Sequence, residues 1–132
     1  MMDCAVVGDS IALGVGTEMH RCVVNATIGL PSAEIIGRVQ HANTVVISAG
    51  SNDARSPELE SNLRAIRERA VNARVMHVIW ISPMDPRAAA AVQRVARMHG
   101  DRVIHFTPRP DHIHPQSYPT LADRVTKAMR GI

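Results

Sequence analysis

Short apolar runs alternate with longer segments of helical periodicity along the whole chain. Each run is brief enough for a strand that is buried on both faces, and five runs qualify: 4–7, 22–25, 44–47, 74–81 and 102–106. The longer segments carry apolar residues at three- and four-residue spacing with Arg and Glu opposite, which predicts amphipathic helices over 32–39, 58–71, 87–99 and 117–130. This alternation predicts an α/β fold with a five-stranded, mostly parallel sheet and helices on both faces.

The chain is predicted to form a single domain over 1–132, because its length suits one domain and no shift in composition marks a linker. Aromatic residues make up 2% of the sequence, so the core is expected to be aliphatic, with Met76 and Trp80 inside it. Cys4 and Cys22 each begin an apolar run. In a chain of intracellular appearance we expect both cysteines to stay reduced and to pack as small hydrophobes.

Charge and hydropathy exclude several classes of partner. The net charge is +3, but the basic residues are scattered and lack interleaved aromatic residues for base stacking, so no nucleic-acid partner is expected. No apolar run approaches the length of a membrane span, and no signal peptide is visible at the N-terminus. We therefore expect a soluble protein without a membrane partner, either cytoplasmic or released without a recognisable signal peptide.

Polar or glycine-rich turns follow four of the five predicted strands, at 8–10, 26–29, 50–53 and 108–114. Parallel sheets with helices on both faces bind ligands beyond the carboxyl ends of their strands. The chemistry of this chain is therefore expected where these four turns meet.

Ser10 lies just after the first strand, where a helix is expected to begin. In that position both its hydroxyl and its amide can face the shared crevice, as a nucleophile requires. The structural alternative is that Ser10 or Asp9 only caps the next helix.

Asp111 and His114 follow the last strand at a spacing that puts both side chains on one side of a turn. A serine alcohol needs a general base, and histidine is the usual one, so Asp111 is a candidate orienter for the His114 imidazole. Pro115 restricts the backbone of His114. Taken alone, the pair is equally compatible with an ordinary surface turn.

Acyl transfer also needs donors for an oxyanion, and Gly29 and Asn52 are candidates. Glycine lets the backbone approach a substrate closely, and the Asn side chain supplies an amide donor. Each also has a structural interpretation, because glycine is common in turns and asparagine forms Asx-turns.

Taken together, these residues resemble the conserved blocks of the SGNH (GDSL-like) hydrolases. The matching blocks run in order along nearly the whole chain: Gly8-Asp9-Ser10-Ile11, Gly29, Gly50-Ser51-Asn52-Asp53 and Asp111-x-x-His114-Pro115. The resemblance implies a three-layer, flavodoxin-like fold, with Ser10 as nucleophile, His114 as base and Asp111 as its partner. It also implies an oxyanion hole formed by the Ser10 amide, the Gly29 amide and the Asn52 side chain.

The chain departs from the family in three respects. Ile11 replaces the usual leucine, His112 stands where a small residue is common, and the short chain leaves little room for a lid. An open, shallow site favours short acyl groups, acetyl above all. The candidate substrate contacts within or beside the turns are Asp9, Asp53, Arg55 and His112.

The sequence thus predicts a serine esterase that acts without a cofactor on short-chain esters, with O-deacetylation of a carbohydrate or cell-wall polymer as the best-supported activity. A lipid-ester or thioester hydrolase and an acyltransferase of the same mechanism remain open. A metal site formed by Asp111, His112 and His114, with His105, is a separate alternative. So is a non-catalytic carbohydrate-binding module. The sequence motifs of P-loop NTPases and α/β-hydrolases are absent.

Overall fold

The structure of the protein, a computed structural model, describes residues 3–132. A single five-stranded sheet has the order β2-β1-β3-β4-β5, and every neighbouring pair is parallel. The predicted α/β class is confirmed. The strands are β1 (Cys4–Gly8), β2 (Val23–Ala26), β3 (Thr44–Ser48), β4 (His77–Ile81) and β5 (Arg102–Ile104). The helices are α1 (Ser10–Glu18), α2 (Ser32–Ile35), α3 (Leu59–Asn72), α4 (Pro86–His99) and α5 (Tyr118–Arg130).

The helices cover both faces of the sheet and create two apolar layers. Alternate strand residues point to opposite faces, so Val6 and Val46 pack with α1 and α5, whereas Val7 and Val45 pack with α2, α3 and α4. Trp80 lies fully buried in the second layer, as predicted. This is the three-layer arrangement that the family resemblance implied. No helix within residues 3–132 is long and apolar enough to cross a membrane.

The chain order reverses at β1, because β2 lies on one side of it and β3 on the other. A crevice is expected beyond the carboxyl ends of β1 and β3 at such a point. Gly8 ends β1 there with φ +142°, and a Cβ atom at this position would collide with the Ser48 carbonyl oxygen. Glycine therefore lets the two strand ends approach closely enough to place their turns side by side.

Three predicted elements are shorter than expected. β4 begins at His77 instead of at 74, because Arg74 adopts a left-handed conformation (φ 60°) in the turn that ends α3. Met76 follows this turn, in the bend before β4, and is 68% exposed, so the prediction that it lies in the core is wrong. β5 ends at Ile104, and the helix predicted over 32–39 stops at Ile35 and continues as a 3-10 turn.

Cys4 and Cys22 form a disulfide bond, with their Cα atoms 4.7 Å apart. The expectation that both stay reduced is wrong. The parallel register pairs Ala5 with Val23, so the residues one step earlier, Cys4 and Cys22, face each other across neighbouring strands. The sequence concealed this contact because it depends on which strands become neighbours.

Candidate active site

The turn between β1 and α1 presents Ser10 at the first position of the helix. The Ser10 amide has no acceptor within the helix, because the first amides of any helix lack intrahelical partners. The Ser10 hydroxyl oxygen lies 3.1 Å from Nε2 of His114, although the two residues are 104 positions apart. The structure thus brings together the two residues that the sequence singled out as nucleophile and base.

Asp9 stabilises this turn, and its side chain is completely buried. Its Oδ1 accepts hydrogen bonds from the amides of Ile11 (3.1 Å) and Ala12 (3.4 Å) and from the Ser48 hydroxyl (2.8 Å). Burial raises the pKa of Asp9 to about 6, against the opposing effect of these donors. The prediction that Asp9 contacts substrate is wrong, because the carboxyl group is enclosed and caps α1.

The turn after β5 is closed by its own backbone hydrogen bonds. The Arg109 amide donates to the His114 carbonyl (2.8 Å), the His112 amide donates to the Arg109 carbonyl (2.9 Å), and Pro108 and Pro115 form an isolated bridge. His112 adopts a left-handed conformation with φ 61°, which explains why a small residue is easier to place here. The closed turn presents Asp111 and His114 towards α1.

Asp111 fixes the imidazole of His114 in both direction and tautomer. Its Oδ1 accepts from the amides of Ile113 (2.9 Å) and His114 (3.0 Å), and its Oδ2 lies 2.8 Å from Nδ1 of His114. The two amides, followed by the imidazole, hold the pKa of Asp111 far below its usual range. An ionised carboxylate has no proton to donate, so Nδ1 carries the hydrogen and Nε2 is left to accept from Ser10.

Gly29 and Asn52 lie in the two neighbouring turns, which contact each other. The Asn52 side-chain amide donates one hydrogen bond to the Leu30 carbonyl (3.1 Å), and the Thr27 amide donates to the Gly8 carbonyl (3.0 Å). The second N–H of the Asn52 amide group stays available. Gly29 is exposed with φ 81° and has open space where a side chain would stand. Both remain candidates for the oxyanion site.

Asp53 stabilises the start of α2 through hydrogen bonds. Its two carboxylate oxygens each accept from the Ser32 amide at 3.2 Å, and the Ser32 hydroxyl donates to it as well. Asn62 on α3 donates to the Ser32 hydroxyl oxygen (3.1 Å). Asp53 thus helps to position α2 and the turn that holds Gly29, and because its side chain is only half-buried its contact with substrate stays a prediction.

Arg55 and His112, the other two candidate substrate contacts, are exposed beside the site. His112 lines a cavity of about 350 Å³ together with Ser51 and Ile113. Arg55 lines a neighbouring cavity of about 330 Å³. Both residues stay candidates for substrate contact.

The metal-site alternative meets an obstacle in the geometry of His114. Both of its ring nitrogens are engaged, one with Ser10 and one with Asp111. Across the described part of the chain, no group of three or more His, Cys, Asp or Glu side chains is arranged to hold a metal ion.

Two solved structures resemble the chain over nearly its full length. One is the C-terminal catalytic domain of Streptococcus pneumoniae peptidoglycan O-acetyltransferase A, carrying a methylsulfonyl adduct; it is 14% identical with a TM-score of 0.68, and the match covers 98% of this chain and 93% of that one. The other is from Bacteroides uniformis and is described as a GDSL-like lipase, at 10% identity and a TM-score of 0.72, covering 99% and 97%. No protein-family model and no curated protein matches the sequence.

The chain therefore has the fold of the SGNH (GDSL-like) hydrolases, and the resemblance seen in the sequence is confirmed at the level of the fold. At these identities the likeness extends to the fold alone. The role of each residue has to be argued from the geometry of this chain.

Proposed function

We propose that the protein is a serine esterase that hydrolyses short-chain esters, acetyl esters above all, through an acyl-enzyme on Ser10. The observation that carries the proposal is the continuous chain of contacts from Ser10 through His114 to Asp111, at 3.1 and 2.8 Å. These distances lie within the reach that proton transfer between nucleophile and base requires.

In the first half of the reaction, the Ser10 oxygen attacks the ester carbonyl carbon while Nε2 of His114 takes the hydroxyl proton. The tetrahedral intermediate collapses as the bond from carbon to the alcohol oxygen breaks, and His114 returns that proton to the leaving alcohol. In the second half, water adds to the acyl-enzyme, its proton passes to His114, and the carboxylic acid departs as Ser10 regains the proton. Asp111 stays ionised throughout and stabilises the imidazolium.

The oxyanion of each tetrahedral intermediate would be stabilised by three donors: the Ser10 amide, the Gly29 amide and the free N–H of the Asn52 side chain. The helix that begins at Ser10 contributes its positive end at the same place. Donors held in advance of the reaction commonly supply the largest single part of such catalysis.

Acetylated carbohydrates or cell-wall polymers are the proposed substrates. The short chain has no insertion to form a deep acyl pocket, which favours small acyl groups. One structural neighbour is a peptidoglycan O-acetyltransferase domain, and transfer of the acyl group to an alcohol instead of water would use the same residues. The disulfide between Cys4 and Cys22 supports a place of action outside the reducing cytosol.

The test is a panel of chromogenic esters of increasing acyl length, assayed with the natural sequence, Ser10→Ala and Ser61→Ala. Ser61 is an exposed serine on α3 and serves as the matched control. We expect the highest kcat/KM for acetyl, a kcat lower by roughly four to six orders of magnitude in Ser10→Ala, and an unchanged kcat in Ser61→Ala. Turnover that survives Ser10→Ala would overturn the proposal, and a preference for long acyl chains would overturn the acetyl assignment.

A further inference from the structure

A groove lies between the two turns that hold His114 and Asn52. Its near part, about 350 Å³, is bordered on one side by His112 and Ile113 and on the other by Ser51 and Met84. Residues 112 and 113 directly precede His114, and Ser51 directly precedes Asn52. The groove therefore lies next to the candidate site, and its volume falls in the range of small-molecule pockets.

The far part of the groove, a second cavity of about 330 Å³, lies next to the near part, because Asp85 and Pro86 line both. Its remaining lining residues are Arg55 and Arg87, both exposed. Neither guanidinium group makes an ion pair within 4 Å to any of residues 3–132. Two unpaired cations thus stand at the end of a groove whose walls near the site are partly apolar.

Asp85 reduces this positive charge without cancelling it. Its Oδ1 caps α4 by accepting from the amides of Arg87 (2.8 Å) and Ala88 (3.2 Å), where the positive helix end offsets the carboxylate. Two guanidinium groups against one partly compensated carboxylate leave a net positive far end. A planar guanidinium suits carboxylate, sulfate or phosphate, which it binds through two parallel hydrogen bonds.

The direction of the proton transfers assigns one part of the substrate to this groove. His114 delivers its proton to the leaving alcohol oxygen, so the alcohol lies on the His114 side of the reacting carbonyl. The groove begins on that side, beside His112 and Ile113. The acyl group lies on the other side of the ester bond and does not enter it.

We infer that the groove binds the alcohol portion of the ester and that this portion carries an anionic group, which Arg55 and Arg87 recognise. The inference rests on the proposed function and deepens it: the substrate class becomes acyl esters of acidic alcohols, such as acidic saccharides. Arg55 and Arg87 are specificity-determining residues and take no part in the chemical steps.

The experiment uses three aryl acetates, 4-acetoxybenzoate, 4-acetoxyphenylacetate and 3-(4-acetoxyphenyl)propanoate, each paired with its neutral primary amide. The measured quantity is the ratio of kcat/KM for the acid to kcat/KM for the amide. It is compared between the natural sequence, Arg55→Ala/Arg87→Ala, and the control Arg69→Ala/Arg97→Ala. The control removes the same charge from exposed positions in the last turns of α3 and α4.

For the spacer that best fits the groove, we expect Arg55→Ala/Arg87→Ala to lower the ratio by about five- to tenfold through a higher KM for the acid, as for two solvent-exposed charge contacts. Turnover of the amides falls by less than turnover of the acids. Arg55→Lys/Arg87→Lys restores part of the ratio, and added salt lowers the ratio of the natural sequence. A sulfonate and sulfonamide pair tested in parallel distinguishes a sulfate-like anion from a carboxylate.

If the ratio falls no further in Arg55→Ala/Arg87→Ala than in the control, at every spacer, the inference is overturned. Cleavage of the amides that still requires Ser10 would leave the proposed function intact. If no ester is cleaved in a manner that requires Ser10, the proposed function fails and the inference fails with it.

Discussion

Two aspartates flank the reacting pair, and they are held in opposite ways. Asp9, beneath Ser10, is fully buried, and burial raises its pKa to about 6. Asp111, behind His114, keeps 42% of its side chain exposed, and two backbone amides hold its pKa far below the usual range. Ser10 is therefore positioned by the packed core, whereas His114 is positioned by hydrogen bonds inside one exposed turn.

This difference separates stability from catalysis. Changes around Asp9 disturb the cap of α1, the Ser48 contact and the junction of β1 with β3, all of which belong to the fold. Changes around Asp111 disturb one short turn and the direction of one imidazole. We expect the first region to respond to mutation mainly in its free energy of unfolding and the second mainly in kcat.

Among the changes that test this difference between the two aspartates, Asp111→Asn is expected to have the largest effect. The Asn oxygen would continue to accept from the amides of Ile113 and His114, which turns its amino group towards Nδ1 and forces the proton onto Nε2. Nε2 then no longer accepts from Ser10, so kcat falls by roughly three to four orders of magnitude. The unfolding midpoint should stay close to that of Asp123→Asn, an exposed control on α5. Comparable losses of stability and kcat would break the proposed separation.

Asn52→Ala tests a donor from a third turn, the one that follows β3. Loss of one oxyanion donor should lower kcat by about two to three orders of magnitude with little change in KM. Steady-state kinetics on an acetyl ester measure both constants, with Asn72→Ala on α3 as the control. A change confined to KM would show that Asn52 binds the ground state and stabilises no oxyanion.

Reduction of the Cys4–Cys22 disulfide should affect the stability of the core and leave catalysis unchanged. The bond joins β1 to β2 at residues 18 positions apart, far from the catalytic turns. Opening a loop of this size should lower the free energy of unfolding by about 3 kcal/mol, measured by denaturant titration with and without reductant. The kcat of the folded enzyme should not change. The Cys4→Ala/Cys22→Ala variant, as control, should not respond to reductant.

The smallest effect is the part of the pH dependence of stability that comes from the raised pKa of Asp9. Its folded pKa of about 6 exceeds its ordinary value of 3.8, so the native state binds more protons and this contribution to stability is lost as pH rises through 6. Between about pH 5 and about pH 7, the titration of Asp9 should lower the free energy of unfolding by about 1 kcal/mol. Asp9→Asn should lack this slope.

Asp123→Asn, at an exposed position on α5, serves as the control for that slope, because it removes a carboxyl group without touching Asp9 or its donors. This variant should keep the natural slope between about pH 5 and about pH 7. Equal slopes for the natural sequence and Asp9→Asn, in urea titrations at the two pH values, would contradict the account of Asp9.

The local pattern of apolar and polar residues predicted most of the fold. β1 and β3 were placed within one residue, because strands buried on both faces are continuous apolar runs. The errors arose where a local conformation interrupted a pattern, as at Arg74, whose turn delays β4 and exposes Met76. Periodicity detects which positions are apolar but does not detect a left-handed residue.

The candidate site was predictable to the extent that parallel strands gather their carboxyl ends at one edge. Ser10, Asp111 and His114 meet as that rule requires. The supporting contacts were not predictable, because they depend on which elements become neighbours: Ser48 with Asp9, and Asp53 with the start of α2. The Cys4–Cys22 bond was missed for the same reason.

We propose that His114 activates Ser10 across the boundary between these two regions. The most direct measurement is the rate and position of labelling by a fluorophosphonate, followed by peptide mass spectrometry, in the natural sequence and in Asp111→Asn. We predict one adduct, on Ser10, that forms at least about tenfold more slowly in Asp111→Asn. An adduct on another residue, or labelling of Ser10 at the same rate in both proteins, would contradict the account.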